Sequence, residues 1–380
     1  MTDEIIYYDV DIVNNNTVFD APLEFNETRN SPYIERPADY EMSIVRFEIS
    51  NTSRLPVFVP KIAPNQADIN KTVYQVQIKS SDNYFKSQVI NLQYVAQKQA
   101  PIQLPLSPVG SLQENSSYYH VYNYDNFTIM LNNALQYAFS QAIVNYPIPS
   151  GFTEKDLYAH FFTFNRDTKK YTLYAQKILF DFNTNVNALI IFLNIPLAGL
   201  MNSFFLLDYG EDRNTTIHPL SFSIYFDTRF QKNIVVQLNN ITSPRVNKAL
   251  DFCVVESQDL DIVAFNPVSS LVFTSNILPV VYTNTSSTAN LVNNSGSNAN
   301  ISSVISDFQV NIDASSGYRQ SVLYQPSVYR MFSLNNSGPI NSIDIKCMWK
   351  NCYGQMTPLM IPPNSFANLK IMFRKKDKSS

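Results

Sequence analysis

Alternation of apolar and polar residues recurs along the chain and constrains its fold more than any other feature. Tyr74, Val76 and Ile78 alternate with polar residues, which is typical of a strand with one buried face. The same period of two recurs in segments 45–49, 90–96, 222–226, 308–312, 343–349 and 369–373. The pattern predicts an all-β protein in which two sheets pack face to face.

One long segment, at about 126–145, has helical spacing instead. Asp125 or Asn126 is the candidate N-cap, and Pro147 ends the segment. Its apolar stripe consists of Phe127, Met130, Leu131, Ala134, Leu135, Ala138 and Ala142. These residues predict an amphipathic helix that buries one face.

Two shorter signals follow along the chain. A polar link at 165–169 separates two alternating segments, which predicts a hairpin. Further on, Asn194 precedes Pro196, and this order predicts a short helix that runs to about Phe204. Asparagine far outnumbers the eight glycines, and we interpret it as the main source of positive-φ turn residues.

Charge limits the partners. The formal net charge is −3 and the pI is near 5.7, so a face that wraps nucleic acid is not expected. The local exception is the C-terminal run Arg374, Lys375, Lys376 and Lys378. Two interpretations stay open for this run: a solvated tail, which is favoured, or a tail that contacts packaged nucleic acid.

No catalytic or phosphate-binding motif is present, which predicts neither an enzyme nor a cofactor. His120, His160 and His218 are far apart and do not have metal-ligand spacing. Three cysteines, Cys253, Cys347 and Cys352, are too few for a disulfide scaffold. Cys347 and Cys352 favour a buried thiol and a loop thiol over a zinc site.

An acidic group around Gly210, formed by Asp208, Glu211 and Asp212, leaves calcium as an alternative to a solvated turn, which is favoured. We therefore predict no metal site. The most apolar stretch, 186–207, is broken by polar residues and Pro196, so a membrane span is not expected. The start of the chain lacks the pattern of a signal peptide, which predicts synthesis in the cytosol.

Four tyrosines are crowded into one short stretch, at Tyr118, Tyr119, Tyr122 and Tyr124. They are candidates for an exposed carbohydrate-recognition or interface cluster. Packing explains them equally well, because tyrosine can bury its ring and keep its hydroxyl in water. Packing or a subunit interface is favoured.

Several ordered segments resemble the penton (minor capsid) proteins of virophages and Polinton-like viruses, above all those of Sputnik-like virophages. The most telling ones lie in the C-terminal part: YQPSVYR at 324–330, the segment 343–354 and NLKIMFRKK at 368–376. The others are PADYEMSIVRFEI at 37–49 and the segments 55–59, 126–139, 161–174 and 269–280. The segments stand in the order of the family and cover about half of the chain.

The resemblance implies a single jelly-roll β-sandwich with a large inserted β-rich (α+β) outer domain. We place the discontinuous jelly roll at 1–97 and 258–380 and the insertion at 98–257, with a Pro-rich departure at 101–108. The tract 284–303 is predicted to be an exposed loop.

The implied function is structural. A homopentamer would form the five-fold vertex of an icosahedral virion, next to major capsid proteins with a double jelly roll. The protein would be made and assembled in the host cytoplasm and would reside in the virion. The alternatives are a jelly-roll adhesin or lectin for host recognition, supported by the tyrosine cluster, and an enzyme built around the histidines.

Overall fold

The structure, a computed structural model, describes residues 4–96, 117–201, 203–204, 207–209, 222–239, 250–258, 265, 267–280, 304–310, 321–351 and 354–376. Regular structure in these ranges is mostly β-strand, which confirms the all-β fold class. The strands are β1 (Ile5–Asn14), β2 (Ala21–Pro22), β3 (Glu24–Thr28), β4 (Tyr40–Ile49), β5 (Lys71–Ser80), β6 (Ile90–Gln93), β7 (Phe161–Asn165), β8 (Lys170–Gln176), β9 (Leu189–Leu193), β10 (Leu207–Tyr209), β11 (Phe222–Ile224), β12 (Val235–Asn239), β13 (Leu250–Glu256), β14 (Val268–Thr274), β15 (Val304–Gln309), β16 (Val322–Tyr324), β17 (Phe332–Ser333), β18 (Ser342–Asn351), β19 (Met356–Pro358), β20 (Met360–Ile361) and β21 (Ser365–Lys375). The helices are α1 (Tyr124–Ala142), α2 (Lys177–Phe180) and α3 (Ile195–Leu200), and 3-10 turns lie at Pro37–Asp39, Ser117–Tyr119 and Glu154–Asp156.

The chain divides into two compact units. The first unit, which we call the sandwich, joins Met1–Pro56 to Pro267–Ser380, so it is built from both ends of the chain. The second unit, which we call the insertion, is the continuous segment Val57–Asn266.

The described part of the sandwich contains two five-stranded sheets over one hydrophobic core, together with a short two-stranded sheet of β2 and β20. The first sheet has the order β1-β21-β4-β16, with β17 also paired to β4. The second has the order β15-β14-β18-β19, with β3 also paired to β18. The two ends of the chain pair directly, from Ile5 opposite Arg374 to Asn14 opposite Ser365. This arrangement is consistent with a single jelly roll.

Alternation builds the core of the sandwich, with one change of phase. A bulge interrupts the pairing of β4 with β21 at Lys370 and Ile371. Because a bulge adds a residue to one strand, the inward series of β4 is Met42 and Ile44, then Phe47 and Ile49. The ring of Phe47 meets that of Phe273 from the second sheet edge-on, with centroids 5.0 Å apart.

The boundaries between the units differ from those placed from the sequence. The sequence assigned residues 57–97 to the jelly roll, whereas these residues belong to the insertion. The reason is long-range pairing, since β5 pairs with β9 from Val76 opposite Leu193 to Ser80 opposite Leu189. At the return, the predicted position 257 lies close to the observed one at residue 266.

The insertion contains two sheets and the long helix. One sheet has the order β10-β11-β9-β5-β6 and the other β12-β13-β8-β7. Helix α1 is capped by Asn123, whose side chain accepts a hydrogen bond from the backbone N–H of Asp125, so it begins slightly before the predicted start. All seven residues of the predicted apolar stripe are buried. The helix contacts strands of both sheets.

The shorter elements also form where the sequence placed them. Strands β7 and β8 make the predicted hairpin, from Phe161 opposite Tyr174 to Asn165 opposite Lys170. Asn194 caps α3 through a hydrogen bond from the N–H of Leu197, although α3 ends at Leu200, before the predicted Phe204. Among described non-glycine residues, those with positive φ are Asn65, Asn83, Asn145, Lys169 and Asn364, consistent with asparagine as a turn residue.

Candidate assembly surface

The outward side of the first sandwich sheet carries exposed apolar side chains at its margins. Tyr7 is 54% exposed and Val13 is 62% exposed, both on the edge strand β1. Phe366 lies opposite Val13 on β21, and Leu323 of β16 is exposed at the other edge of the sheet. We call this side the outer face. Apolar residues grouped in this way are typical of a surface that contacts another protein.

A band of paired charges crosses the middle of the outer face. The Asp9 carboxylate lies 3.3 Å from Nζ of Lys370 and 3.6 Å from a guanidinium nitrogen of Arg46. Arg46 also donates to Oδ1 of Asn368 at 2.6 Å, and Nδ2 of Asn368 donates to Asp11 at 2.7 Å. Asp9 and Asp11 thus take outward positions on β1. The band fixes its side chains and leaves little net charge on the face.

The basic C-terminal run begins inside this sheet and not in a free tail. Arg374 and Lys375 are the last residues of β21, because the strand continues between β1 and β4 to its end. Nε of Arg374 donates to Glu41 at 2.8 Å, and Nζ of Lys375 donates to Glu4 at 2.9 Å. Hydrogen bonding to Lys375 lowers the pKa of the Glu4 carboxyl.

Of the two lysines that follow in the run, the structure describes Lys376 but not Lys378. Nζ of Lys376 donates to the backbone oxygen of Ala38 at 2.8 Å. Lys378 lies outside the described residues. Arg374 and Lys375 therefore lie in a strand and not in a tail, although both side chains stay partly exposed, and contact with nucleic acid is not tested.

A polar cluster that sequence reasoning missed joins the two sheets at the edge of the sandwich. Nε of Arg29 donates to Glu27 at 2.9 Å, and its guanidinium lies 4.8 Å from the ring centroid of Tyr8 and 4.5 Å from that of Tyr33. The Tyr8 hydroxyl also donates to Glu27, and these bonds lower the pKa of the Glu27 carboxyl. No motif in the sequence identifies the cluster, because its members come from separate elements.

The tyrosine cluster is mainly a packing feature of the insertion. Tyr119 is fully buried, and burial raises its pKa to about 12. Tyr124 is also buried, with its ring 4.9 Å from that of Phe164. Tyr118 and Tyr122 are half-buried. An exposed recognition cluster is therefore wrong for Tyr119 and Tyr124, because the 3-10 turn Ser117–Tyr119 buries the first ring and the start of α1 buries the second.

The described histidines and cysteines are buried, and they do not form a metal-binding group. His120 and His160 lie in the interior of the insertion, and His218 is outside the described residues. Cys253 and Cys347 are buried free thiols, and burial raises the pKa of Cys253 to about 12. In the described ranges no three His, Cys, Asp or Glu side chains form a group that could hold a metal ion.

The remaining predictions on metals and thiols lie outside the described residues, in whole or in part. Glu211, Asp212 and Cys352 are not described, and neither is the polar tract 284–303, so these predictions stay untested. Among described helices, none is long and apolar enough to cross a membrane.

Comparison with known proteins gives one family match and several relatives. The family model of the Sputnik minor capsid protein V18/19 matches residues 6–375. The chain is 30% identical to the uncharacterized protein V18 of Sputnik virophage over 141 residues, which cover 36% of this chain and 84% of that protein. It is 25% identical to the structural protein V19 of Sputnik virophage over 221 residues, 58% of this chain and 96% of that protein.

Two solved structures share the fold. A chain of the Sputnik virophage, solved by cryo-EM at 3.5 Å resolution, matches with a TM-score of 0.75 and 24% identity over 99% of both chains. The crystal structure of the mavirus penton protein matches with a TM-score of 0.63 and 17% identity, over 98% of this chain and 100% of that chain.

Proposed function

Because the chain belongs to the Sputnik minor capsid protein V18/19 family, and so has a structural role in the capsid, we propose that five copies of it form each five-fold vertex of an icosahedral virion. Its fold, shared with the mavirus penton protein, supports this position. A ring of five copies requires one face of each subunit to meet a different face of its neighbour.

The observation that carries the proposal is the outer face of the sandwich. Exposed apolar residues at its margins favour burial against protein, while the paired charges between them need no further counter-ion. We propose that this face meets the neighbouring copy in the ring. Interfaces of permanent assemblies commonly bury about 2,000 Å² or more in total. The side chains of one strand cover less than this area, so we expect several strands of the face to take part in the contact.

The remaining partners follow from the same position. Major capsid proteins with a double jelly roll would surround the ring, and assembly would take place in the host cytoplasm. Arg374 and Lys375 already pair with carboxylates, so any contact with packaged DNA would fall mainly to Lys376 and Lys378. We propose no catalytic activity for the chain.

Light scattering coupled to size-exclusion chromatography tests the ring. We expect a concentrated sample to contain a species of five times the chain mass of 43.4 kDa, in exchange with the monomer. Tyr7→Lys combined with Phe366→Lys should leave only the monomer, because both substitutions place charge on the outer face. Val328→Lys is the matched control, since Val328 is 82% exposed on the sandwich but lies in the loop between β16 and β17, outside the strands of that face.

A stable trimer would contradict the vertex assignment and favour a major-capsid type of role. A pentamer that survives the double substitution would keep the ring but reject the outer face as its contact surface.

A further inference from the structure

The insertion carries a groove on the side of its second sheet that bears Tyr174. The groove has a volume of about 510 Å³ and lies across β8, β13 and the turn before β12. Small-molecule sites in proteins commonly have volumes of about 300–1,000 Å³. Its lining consists of Asn165, Lys170, Thr172, Tyr174, Asn233, Val235, Val254, Glu256, Ser257 and Gln258.

The apolar part of the groove is built around one aromatic ring. Tyr174 lies parallel to Phe161, with ring centroids 5.0 Å apart and an interplanar angle of 9°. Val254 lies opposite Tyr174 on β13, and Val235 lies opposite Val254 on β12. Val235 is 54% exposed. Tyrosine in this setting offers an apolar surface and a hydroxyl to the same ligand.

The polar part of the groove balances its own charge. Nζ of Lys170 lies 3.5 Å from the carboxylate of Glu256. Thr172 stands opposite Glu256 in the pairing of β8 with β13. Oδ1 of Asn165 accepts hydrogen bonds from the backbone N–H groups of Asp167 and Thr168, at 2.9 and 3.2 Å. The amide NH2 group is therefore the donor that Asn165 presents to a ligand.

These features select a class of ligand. A site for phosphate or nucleic acid needs an excess of basic side chains, and the single lysine of the groove is paired with a glutamate. Hydroxyl, amide, ammonium and carboxylate groups beside an apolar surface match a molecule with many hydroxyls and an apolar ring face. We propose that this groove binds a short neutral oligosaccharide, with Tyr174 under a sugar ring and Lys170, Glu256, Thr172 and Asn165 bonded to its hydroxyls.

The proposal concerns the insertion alone and does not depend on the five-fold position of the chain. It places sugar binding on residues other than the tyrosine cluster, whose Tyr119 and Tyr124 are buried.

A glycan array that carries neutral, sialylated and sulfated oligosaccharides, probed with the full chain, tests the groove. We expect binding to neutral oligosaccharides. Tyr174→Ala should weaken that binding about tenfold, the effect of losing an aromatic contact and its hydroxyl. Glu256→Gln should also weaken it and add binding to anionic glycans, because Lys170 then lacks its partner.

Controls separate a lost site from a lost fold. Tyr137→Ala removes a tyrosine that is 57% exposed on α1, and Glu154→Gln removes an exposed carboxylate outside the groove. Both should bind like the unmodified chain. If the circular dichroism spectrum shows that Tyr174→Ala does not fold, glycan binding by Glu256→Gln decides whether the groove is the site.

Absence of neutral glycan binding, or binding that both groove variants retain, would overturn the proposal. So would a preference of the unmodified chain for anionic glycans. Light scattering on the same variants shows whether assembly is intact. A loss of glycan binding can thereby be told apart from a loss of the five-membered ring.

Discussion

The outer face of the sandwich and the interior of the insertion use polar residues in opposite ways. In the sandwich, charges on the outer face pair across strands, as Asp9 does with Lys370 and Arg46. In the insertion, the fully buried imidazole of His160 has no hydrogen-bond partner on either nitrogen and packs against Phe180, with centroids 5.0 Å apart. The outer face of the sandwich therefore suits lasting contact with protein, whereas the interior of the insertion holds an imidazole that stays neutral.

Substitutions in the hydrophobic cores should give the largest loss of stability and should show that the two units unfold separately. Phe273→Ala in the sandwich and Phe127→Ala in the insertion each remove a buried ring, which should lower the free energy of unfolding by about 3–5 kcal/mol. Fluorescence of the single tryptophan, Trp349, reports the sandwich, and circular dichroism of α1 reports the insertion. Denaturant titration with both probes should show each variant moving mainly its own transition.

If each variant moved both transitions equally, the two units would unfold as one, and the comparison between them would lose its thermodynamic basis.

A buried carboxylate in the sandwich should give the next largest effect. Asp344 accepts hydrogen bonds from the Ser275 hydroxyl and, at 2.9 Å each, from the backbone N–H groups of Asn276 and Ile277. Asp344→Ala leaves these donors without an acceptor and should lower the free energy of unfolding by about 2–3 kcal/mol by the Trp349 probe. Asp307→Ala, at a half-exposed ion pair with Arg330, is the control and should cost less than about 1 kcal/mol.

Mild acid, between pH 7 and 5, should destabilise the insertion more than the sandwich. Burial lowers the pKa of His160 from 6.5 to about 3, so between these values the unfolded chain binds one more proton than the folded chain. The stabilisation that neutral His160 contributes is fully present above its unfolded-state pKa of 6.5 and decreases as the pH drops toward 3. Between pH 7 and 5 the free energy of unfolding should fall by about 2 kcal/mol. All three histidines lie in the insertion segment, so Trp349 should report little change from histidine.

His160→Leu should remove most of this pH dependence from the circular dichroism midpoint. An equal acid shift in the variant would assign the effect to other groups.

Surface ion pairs of the outer face should matter least for folding. Arg374→Gln breaks the pair with Glu41 and should change the free energy of unfolding by less than about 1 kcal/mol, because exposed pairs are screened by water and salt. Thermal unfolding at low and high salt checks this. A larger loss would mean that the end of β21 is held chiefly by its charges.

Local patterns in the sequence were enough for many of the strands, for the long helix and for the hairpin. Long-range pairing was not accessible, since nothing near Val76 reveals that β5 pairs with residues more than a hundred positions away. The same limit hid the partners of Arg374 and Lys375 near the N-terminus, and the meeting of Lys170 with Glu256 in the groove. The close spacing of the four tyrosines in the sequence could not show that the rings of Tyr119 and Tyr124 are buried.

An icosahedral cryo-EM reconstruction of the virion tests the central claim most directly. We expect five copies of this chain around each five-fold axis, with the outer face of each sandwich, at Tyr7 and Phe366, against its neighbour. Density that fits the chain in three-fold capsomers, or vertices that contain no copy of it, would show that the chain is not the vertex protein.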